Sequence, residues 1–283
     1  MEWKHIAVNS GRLSTILKEE MGMSSGLMNR LKWKSLLFVN GQPQHTDYPV
    51  QSGDLITVPL DAPVPEYPAE NGVLHILYED EHILAVDKPA KMLIHPSRSQ
   101  FTGTLANRVL GYYQSTGQNC AFHPITRLDR DTFGIVLLAK NAHIHARLQS
   151  GDLRKTYHTL VYGAPEQNGG RIDAPIARKP LPSLLREIHP TGKPALTLWQ
   201  VLQRHNGYTK LSLQPVTGRT HQLRLHCAHM GFPILGDPQY GSPESQNFSA
   251  ALGFSYQQLC AYKLEFTHPV TAAPMCLVSC MDV

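Results

Sequence analysis

The order of apolar and polar positions divides the chain into two segments joined by a proline-rich stretch. Four of the ten residues from 59 to 68 are prolines, and the turn-forming pair Asn71–Gly72 follows them. Because proline removes a backbone donor and fixes φ, this stretch predicts an extended linker rather than a helix or a strand. We therefore expect a small head at residues 1–60, a linker at residues 61–72 and a large body at residues 73–283.

The head shows a helical period first and short strand patterns afterwards. Ser10 is a candidate N-cap for a helix whose apolar residues share one face, and a second short helix is predicted just beyond it. The strand pattern Leu36–Val39 runs into Asn40–Gly41, which is a strong signal for a two-residue hairpin. A second turn at Gly53–Asp54 leads into the strand pattern Leu55–Val58. Two helices followed by a small hairpin sheet predict a compact α+β unit.

The body mixes strand and helix patterns without the regular strand–helix–strand alternation of a parallel α/β fold. It has neither Gly-x-Gly-x-x-Gly nor a phosphate-binding Gly-Lys-Thr/Ser loop, so no nucleotide cofactor is expected. The predicted strands are His75–Tyr78, Ile83–Val86, Thr197–Leu202 and Leu211–Leu213, and the predicted helices are Thr104–Tyr113 and Ala142–Leu148.

Composition narrows the class of protein only slightly. Apolar residues make up 42% and charged residues 17% of the 283 residues, which fits a globular fold. The net charge of +4 permits a polyanionic partner without demanding one. The five cysteines are scattered and no Cys/His cluster has zinc-site spacing, so no metal is expected. Without a signal peptide or an apolar run of about 20 residues, we expect a protein of the reducing cytoplasm with no membrane association.

Three segments place polar groups within apolar surroundings, where they can support chemistry. Residues 126–134 carry a dense cluster of charges that leads into an apolar strand pattern, and such charges are costly to bury unless they are paired. Residues 154–157 bring Tyr157 into a second strand pattern. Residues 218–226 hold six hydrogen-bonding or charged groups, and a guanidinium at Arg224 would need a carboxylate to neutralise it. Taken singly, these segments also fit structural salt bridges and a core tyrosine.

Taken together, the three segments resemble the RluA/RluD type of RNA pseudouridine synthases. The family hallmark reads His-Arg-Leu-Asp-x-x-Thr-Ser-Gly, and residues 126–134 read Thr-Arg-Leu-Asp-Arg-Asp-Thr-Phe-Gly. Lysine-x-tyrosine at 155–157 and Gly-Arg-Thr-His-Gln-Leu-Arg at 218–224 follow in the family's order. The resemblance covers about residues 73–270 and implies an α+β fold with a mixed, mainly antiparallel sheet and flanking helices. The further agreements are Asp87–Lys88–Pro89, His95–Pro96, Pro233–Asp237 with Tyr240–Gly241, and Phe266–Pro269.

The resemblance implies roles for four residues of the three segments. Asp129 matches the catalytic aspartate, Tyr157 the active-site tyrosine, and Arg224 the arginine that pairs with the aspartate. Arg127 matches the residue that helps to extrude the target uridine and to hold the RNA. The reaction breaks the N1–C1′ glycosidic bond and rejoins the uracil through C5, so it needs an ionised carboxylate beside the sugar and a base removed from its stack. The sequence leaves open whether Asp129 acts as nucleophile or as base, and no cofactor is implied.

The head resembles the RNA-binding domain shared with ribosomal protein S-four. The resemblance rests on Gly11–Leu13, a basic second helix, Val39–Gly41 and Ser52–Ile56. It implies that RNA is the partner, with ribosomal RNA expected first and transfer RNA as the other candidate, and we expect a monomer. The residues expected to contact RNA are Arg127, Arg219, His221 and Gln222 in the body, and Arg30, Lys32 and Lys34 in the head.

Several positions depart from the family pattern, and two other functions fit parts of the sequence. Thr126 stands where histidine is usual, Phe133 where serine is usual, Lys91 where glycine is frequent, and Cys260 where histidine is common. Asp131 competes with Asp129 for the catalytic role, although its place in the motif favours a structural partner.

The alternative functions are those of a non-catalytic RNA-binding or ribosome-assembly protein and of a glycoside hydrolase. A glycoside hydrolase normally needs two carboxylates across the scissile bond.

Overall fold

A computed structural model describes residues 2–23, 28, 31–32, 35–59, 67–97, 99–180, 183 and 185–283. Most of the predicted second helix lies outside the described residues, and so do Arg30 and Lys34. Lys32 is described and is exposed. The first half of the predicted linker, residues 61–66, also lies outside them.

The head consists of short strands around one helix. A four-stranded antiparallel sheet has the order β1-β6-β3-β4, and β2 pairs with β5 beside it. The predicted hairpin at Asn40–Gly41 is confirmed, since it joins β3 to β4 and both of its residues have positive φ. The elements of the head are β1 (Glu2–Ile6), β2 (Gly11–Arg12), α1 (Leu13–Glu19), β3 (Phe38–Val39), β4 (Gln42–Pro43), β5 (Pro49–Val50) and β6 (Leu55–Pro59).

Two predictions for the head are corrected by the structure. The N-cap of α1 is Arg12 rather than Ser10, because Gly11 and Arg12 are held in an extended pair with β5. The Ser10 hydroxyl instead accepts a hydrogen bond from the Ser52 backbone at 3.0 Å. The strand predicted at Leu36–Val39 is only two residues long and begins at Phe38.

The body is built on a ten-stranded sheet that confirms the predicted α+β class. Its strand order is β12-β15-β16-β11-β17-β10-β8-β7, with β18 paired to β17 and β9 paired to β10. The strands of the body are β7 (His75–Glu79), β8 (Ile83–Lys88), β9 (His123–Pro124), β10 (Phe133–Ala139), β11 (Leu153–Tyr162), β12 (Gly169–Asp173), β13 (Ile176–Arg178), β14 (Arg186–Ile188), β15 (Leu196–Arg204), β16 (Tyr208–Pro215), β17 (Leu259–Thr267) and β18 (Pro274–Val278). The helices are α2 (Leu105–Ser115), α3 (Ala142–Ser150), α4 (Gln222–His229) and α5 (Pro243–Ala251).

The sheet is mixed because β10 and β17 run parallel, whereas the other strand pairs among the described residues are antiparallel. Gly134 of β10 lies against Ala261 of β17, with φ of 104°. A Cβ at Gly134 would come within 2.4 Å of the Ala261 carbonyl oxygen, so a larger residue cannot occupy this position without moving a strand. This contact brings the start of β10, and the loop before it, close to the centre of the sheet.

Both faces of the sheet are covered, which explains why β10 and residues 83–86 of β8 are continuous apolar runs. On one face, which we call the active-site face, Val136 and Leu138 of β10 pack in a cluster that includes Tyr157 and Leu223. On the other face, which we call the helix-α3 face, Ile135, Leu137 and Ala139 of β10 pack in a cluster with apolar residues of α3. No helix in the described part of the chain has the length and apolar character needed to cross a membrane.

Candidate active site

The loop that carries Asp129 lies between β9 and β10 and is fixed from inside the protein by Lys88. The Lys88 side chain is fully buried at the end of β8. Its Nζ donates hydrogen bonds to the carbonyl oxygens of Pro89 and Met92, both at 2.9 Å, and to that of Arg130 at 3.0 Å. Three carbonyl acceptors match the three donors of an ammonium group. Lys88 therefore ties the residue after Asp129 to the end of β8.

Asp129 and Asp131, the two carboxylates of this loop, differ in their partners. Burial lowers the pKa of Lys88 to about 7, and the negative charges of Asp131 and then Asp129 oppose that change. Asp129 receives a hydrogen bond from the guanidinium of Arg224, whereas the described contacts give Asp131 no such partner. This arrangement favours Asp129 for the catalytic role and leaves Asp131 as a charge that acts on Lys88.

Arg224 connects two carboxylates that have very different exposure. Its Nε and Nη2 donate to the two oxygens of Asp237, both at 2.7 Å, and its Nη1 donates to Asp129 Oδ2 at 3.1 Å. The Asp237 side chain is 0% exposed and the Asp129 side chain is 31% exposed. Burial alone would lower the pKa of Arg224, but hydrogen bonds and charge from Asp237 and then Asp129 hold it above its ordinary value. Asp237 thus fixes the guanidinium, and the guanidinium presents one donor to an accessible carboxylate.

His221 forms a second contact with the same carboxylate. It precedes α4 in the left-handed conformation, with φ of 56°, and its Nε2 lies 3.9 Å from Asp129 Oδ2. Its Nδ1 is 2.9 Å from the hydroxyl of Tyr240, which also accepts a hydrogen bond from the Arg186 backbone at 3.0 Å. Burial lowers the pKa of His221; Asp129 opposes this change, and Arg224 and Arg186 add to it. We therefore expect a neutral imidazole at pH 7.

Tyr157 lies on β11, where a bulge between Thr156 and Tyr157 interrupts the pairing with β17. Its ring is 8% exposed and belongs to the apolar cluster of the active-site face. Burial raises the pKa of Tyr157, and the nearby charge of Asp129 adds to the increase. The phenol consequently stays protonated at neutral pH, next to the carboxylate.

The structure places the predicted RNA contacts of the body in different settings. Arg127 and Arg219 are exposed, and His221 is half-buried. Gln222 is 3% exposed, and its amide is used internally. Its Oε1 accepts hydrogen bonds from Thr217 Oγ1 and from the Arg219 backbone, and its Nε2 donates to residues of β15. The Gln222 side chain thus holds the loop before α4, and its contact with RNA stays a prediction.

Sequence reasoning missed three residues that support the site. Lys88, Asp237 and Tyr240 all lie in short motifs that agree with the family, but no role followed from the motifs alone. The signal that could have identified Asp237 is Arg224 itself, because a buried guanidinium has more donors than one carboxylate can accept. The structure shows that Asp237 takes two of these donors and Gln239 Oε1 accepts a further bond at 2.8 Å.

Two of the departures from the family pattern have a structural explanation. Lys91 adopts φ of 62°, a conformation that glycine adopts most easily, which accounts for the glycine frequent at this position. Its Nζ lies over the Tyr256 ring at 5.5 Å. Thr126 is buried and its hydroxyl accepts a hydrogen bond from the Leu137 backbone at 3.0 Å. Neither side chain displaces Asp129.

Comparison with known proteins identifies the class to which this fold and site belong. A model of the RNA pseudouridylate synthase family matches residues 82–229. The RNA pseudouridine synthase YjbO of Bacillus subtilis (strain 168) is 36% identical over 90% of this chain and 90% of its own length. Ribosomal large subunit pseudouridine synthase D of Haemophilus influenzae is 36% identical over 74% of this chain and 68% of its own length. The solved structure of human RNA pseudouridylate synthase domain containing 4 has the same fold, with a TM-score of 0.60 at 22% identity over 74% of this chain and 88% of that one.

The chain therefore belongs to the RNA pseudouridylate synthase family. It is an enzyme of the isomerase class, and the reaction is the conversion of uridine in RNA to pseudouridine. The predicted family and reaction are confirmed by these matches.

Proposed function

We propose that this protein isomerises specific uridines of large-subunit ribosomal RNA, with Asp129 as the catalytic carboxylate. The observation that carries the proposal is the contrast between the two partners of Arg224. Asp237 is fully buried and structural, whereas Asp129 is 31% exposed and open to a substrate. Ribosomal RNA is proposed because a relative of high coverage carries the name ribosomal large subunit pseudouridine synthase D.

The geometry suggests how each side chain contributes to the reaction. Asp129 acts on the uridine while Arg224 balances its charge in a partly buried site. Tyr157 packs against the uracil and donates a hydrogen bond, since its raised pKa disfavours a phenolate. Arg127, exposed two residues before Asp129, occupies the space that the target base leaves in the RNA. During the reaction the N1–C1′ bond breaks and the C5–C1′ bond forms, while C5 loses a proton and N1 gains one.

We further propose that residues 1–60 form an RNA-binding head like the domain shared with ribosomal protein S-four. In support, the buried apolar residues of the head form their own cluster, drawn from residues 7 to 58. Phosphate contacts from the basic segment that includes Lys32 would add affinity without adding chemistry. We propose that the protein acts as a monomer in the cytoplasm. Deletion of residues 1–60 should weaken RNA binding or broaden site choice; unchanged activity and selectivity would contradict the role of the head.

The reaction is tested by tritium release from transcripts labelled at uridine C5. The native protein and Asp129→Asn are compared on large-subunit ribosomal RNA and on transfer RNA, with Asp131→Asn as the matched control. We expect release by the native protein and by Asp131→Asn, and a loss of at least about a thousandfold in Asp129→Asn. Equal loss in both variants would contradict the assignment of Asp129. Binding without release by the native protein on any RNA would favour a non-catalytic RNA-binding protein.

A further inference from the structure

A cleft lined by positive charge lies beside the active site, and among its cations only Arg219 was expected from the sequence to contact RNA. It has a volume of about 490 Å³ and opens between the two-stranded ribbon β13–β14, residues 191–193, and residues 218–220 before α4. None of the described residues that line it is acidic. The four cations of the cleft are Arg178, Arg186, Lys193 and Arg219.

The ribbon places two of these cations directly opposite each other. Arg178 of β13 and Arg186 of β14 are cross-strand partners in an antiparallel pair. Like charges in this position destabilise a ribbon, because their side chains leave on the same face a few ångströms apart. Arg178 is exposed and Arg186 is half-buried, so both remain accessible from the cleft. An anion bound in the cleft would reduce the repulsion between these two charges.

Hydrogen bonds hold the backbone that carries Lys193 and the side chain of Arg219. Ile176 and Lys193 exchange backbone hydrogen bonds of 3.0 and 2.9 Å, and the Arg219 Nε donates to the carbonyl oxygen of Pro194 at 3.0 Å. Gly192 lies so close to β13 that a Cβ there would come within 2.5 Å of the Ile176 carbonyl carbon. The loop that carries Lys193 is therefore fixed against the ribbon, which gives the cleft a defined shape.

The cleft is connected to the catalytic carboxylate by direct contacts. Tyr240 joins the Arg186 backbone to His221, and His221 lies 3.9 Å from Asp129. The ribbon also packs on α4, because Ile176 and Leu225 share a small buried cluster. Tyr240 and His221 thus link the cleft to the carboxylate at which the target nucleotide would bind.

We infer that this cleft binds a backbone phosphate of the RNA strand that carries the target uridine. The inference rests on the proposed function, because its ligand is the proposed substrate. Arginine guanidinium groups match the geometry of phosphate oxygens and can bind them in pairs. Phosphate contacts fix the register of a nucleic acid without reading its bases. The cleft therefore positions the strand on one side of the extruded nucleotide, whichever uridine is modified.

The test measures binding separately from the reaction. The double variant Arg178→Gln/Lys193→Gln is made in an Asp129→Asn background and titrated with a fluorescent oligouridylate of about ten nucleotides between about 50 and 200 mM salt. We expect affinity at low salt to fall about tenfold and the slope of log K against log salt to shrink by about 0.7 for one lost phosphate contact. Arg147→Gln, on the exposed side of α3, removes a charge elsewhere and should leave both quantities unchanged.

Two further variants and a kinetic measurement complete the design. The charge-conserving pair Arg178→Lys/Lys193→Arg should retain the native slope, and Lys193→Gln alone should reproduce part of the loss if the double variant folds poorly. With Asp129 intact, the KM for ribosomal RNA should rise by a similar factor while kcat changes less than twofold, because a phosphate contact acts equally on bound substrate and transition state.

The possible outcomes separate the cleft from the reaction. If the double variant has the same RNA affinity and the same slope of log K against log salt as Arg147→Gln, the cleft is not a phosphate site. This holds even if tritium release by the native protein is normal. A native protein that releases no tritium would overturn the proposed reaction, while the change in slope would still decide whether the cleft binds phosphate. Loss of the native slope in the charge-conserving pair would also contradict the inference, since the charges are kept.

Discussion

The two faces of the central sheet are built from the same strands but serve different purposes. On the active-site face the apolar cluster borders on Arg224, which is buried, and on Asp129, which accepts its hydrogen bond and is partly exposed to solvent. On the helix-α3 face the described cluster joins β8, β10, β17 and β18 to α3, and none of the predicted catalytic residues belongs to it. Neighbouring residues of β10 alternate between the two faces, so one strand contributes to both. Substitutions on one face should change the reaction, and those on the other should change only stability.

The largest effect is expected from Arg224→Met on the active-site face. The change leaves Asp237 buried without its cation, which should cost about 3–5 kcal/mol of stability. It also removes the donor to Asp129, so we expect kcat/KM to fall about a hundredfold to a thousandfold. Thermal unfolding and tritium release measure the two losses, and Arg147→Met on α3 is the control for losing an arginine.

A second substitution separates the two losses of Arg224→Met. Asp237→Asn, added to Arg224→Met, removes the unpaired buried charge and should recover part of the stability. The activity should remain low, since Asp129 still has no guanidinium beside it. Recovery of activity along with stability would show that Arg224 acts through folding alone.

An intermediate effect is expected from a matched pair of leucine substitutions. Leu137→Ala creates a cavity on the helix-α3 face, and Leu223→Ala creates one at α4, next to Arg224. Each should cost about 2–5 kcal/mol of stability, because both side chains are buried. Leu223→Ala should in addition lower kcat about tenfold, since a small shift of α4 misplaces Arg224. Kinetics are measured well below both melting temperatures, and equal kcat values for the two variants would remove the distinction between the faces.

The smallest effect is expected in the head, which belongs to neither face. Glu20 accepts hydrogen bonds from His5, from the Val8 backbone and from Asn9, and these bonds lower its pKa from 4.5 to about 2, with His5 contributing most. A lowered carboxyl pKa stabilises the fold above pH 4.5, and this contribution is lost as pH falls toward about 2. Glu20→Gln should cost about 1 kcal/mol at pH 7 and flatten the acid side of the stability profile.

Scanning calorimetry between pH 7 and 3 measures the effect of Glu20→Gln. If the stability of Glu20→Gln falls with pH as steeply as that of the native protein, other carboxylates determine the acid sensitivity of the fold. Tritium release at pH 7 should change little in this variant, because Glu20 lies in the head and outside both clusters of the sheet.

The sequence was sufficient to predict the family, the fold class and the pairing of Asp129 with Arg224. The resemblance to the family implied that pairing, the chemistry of Arg224 required only that some carboxylate lie beside it, and the structure shows the contact at 3.1 Å. The catalytic role of Asp129 and Tyr157 stays a prediction. Strands of the body were also predictable, either because the run is apolar and buried on both faces, as at Ile83–Val86, or because apolar and polar residues alternate, as at Thr197–Leu202.

Details that depend on tertiary contacts could not be predicted from the sequence. The internal hydrogen bonds of Gln222 could not be predicted, because its motif gives its neighbours but not the direction of its amide. Ser10 was preferred as a cap by residue type, yet pairing of Gly11 with β5 moves the start of α1. Asp237 was passed over because its distance from Arg224 along the chain gives no sign of the bidentate contact.

The position of β17 has a consequence for the order in which the protein can fold. This strand lies between β10, which follows the Asp129 loop, and β11, which carries Tyr157. Pairings between segments so far apart in sequence form slowly, because a long loop must close first. A nascent chain would have to extend beyond Thr267 before the two halves of the sheet could join. Until then the edges of β10 and β11 stay open to other strands, so chaperones that shield such edges should increase the yield of active enzyme.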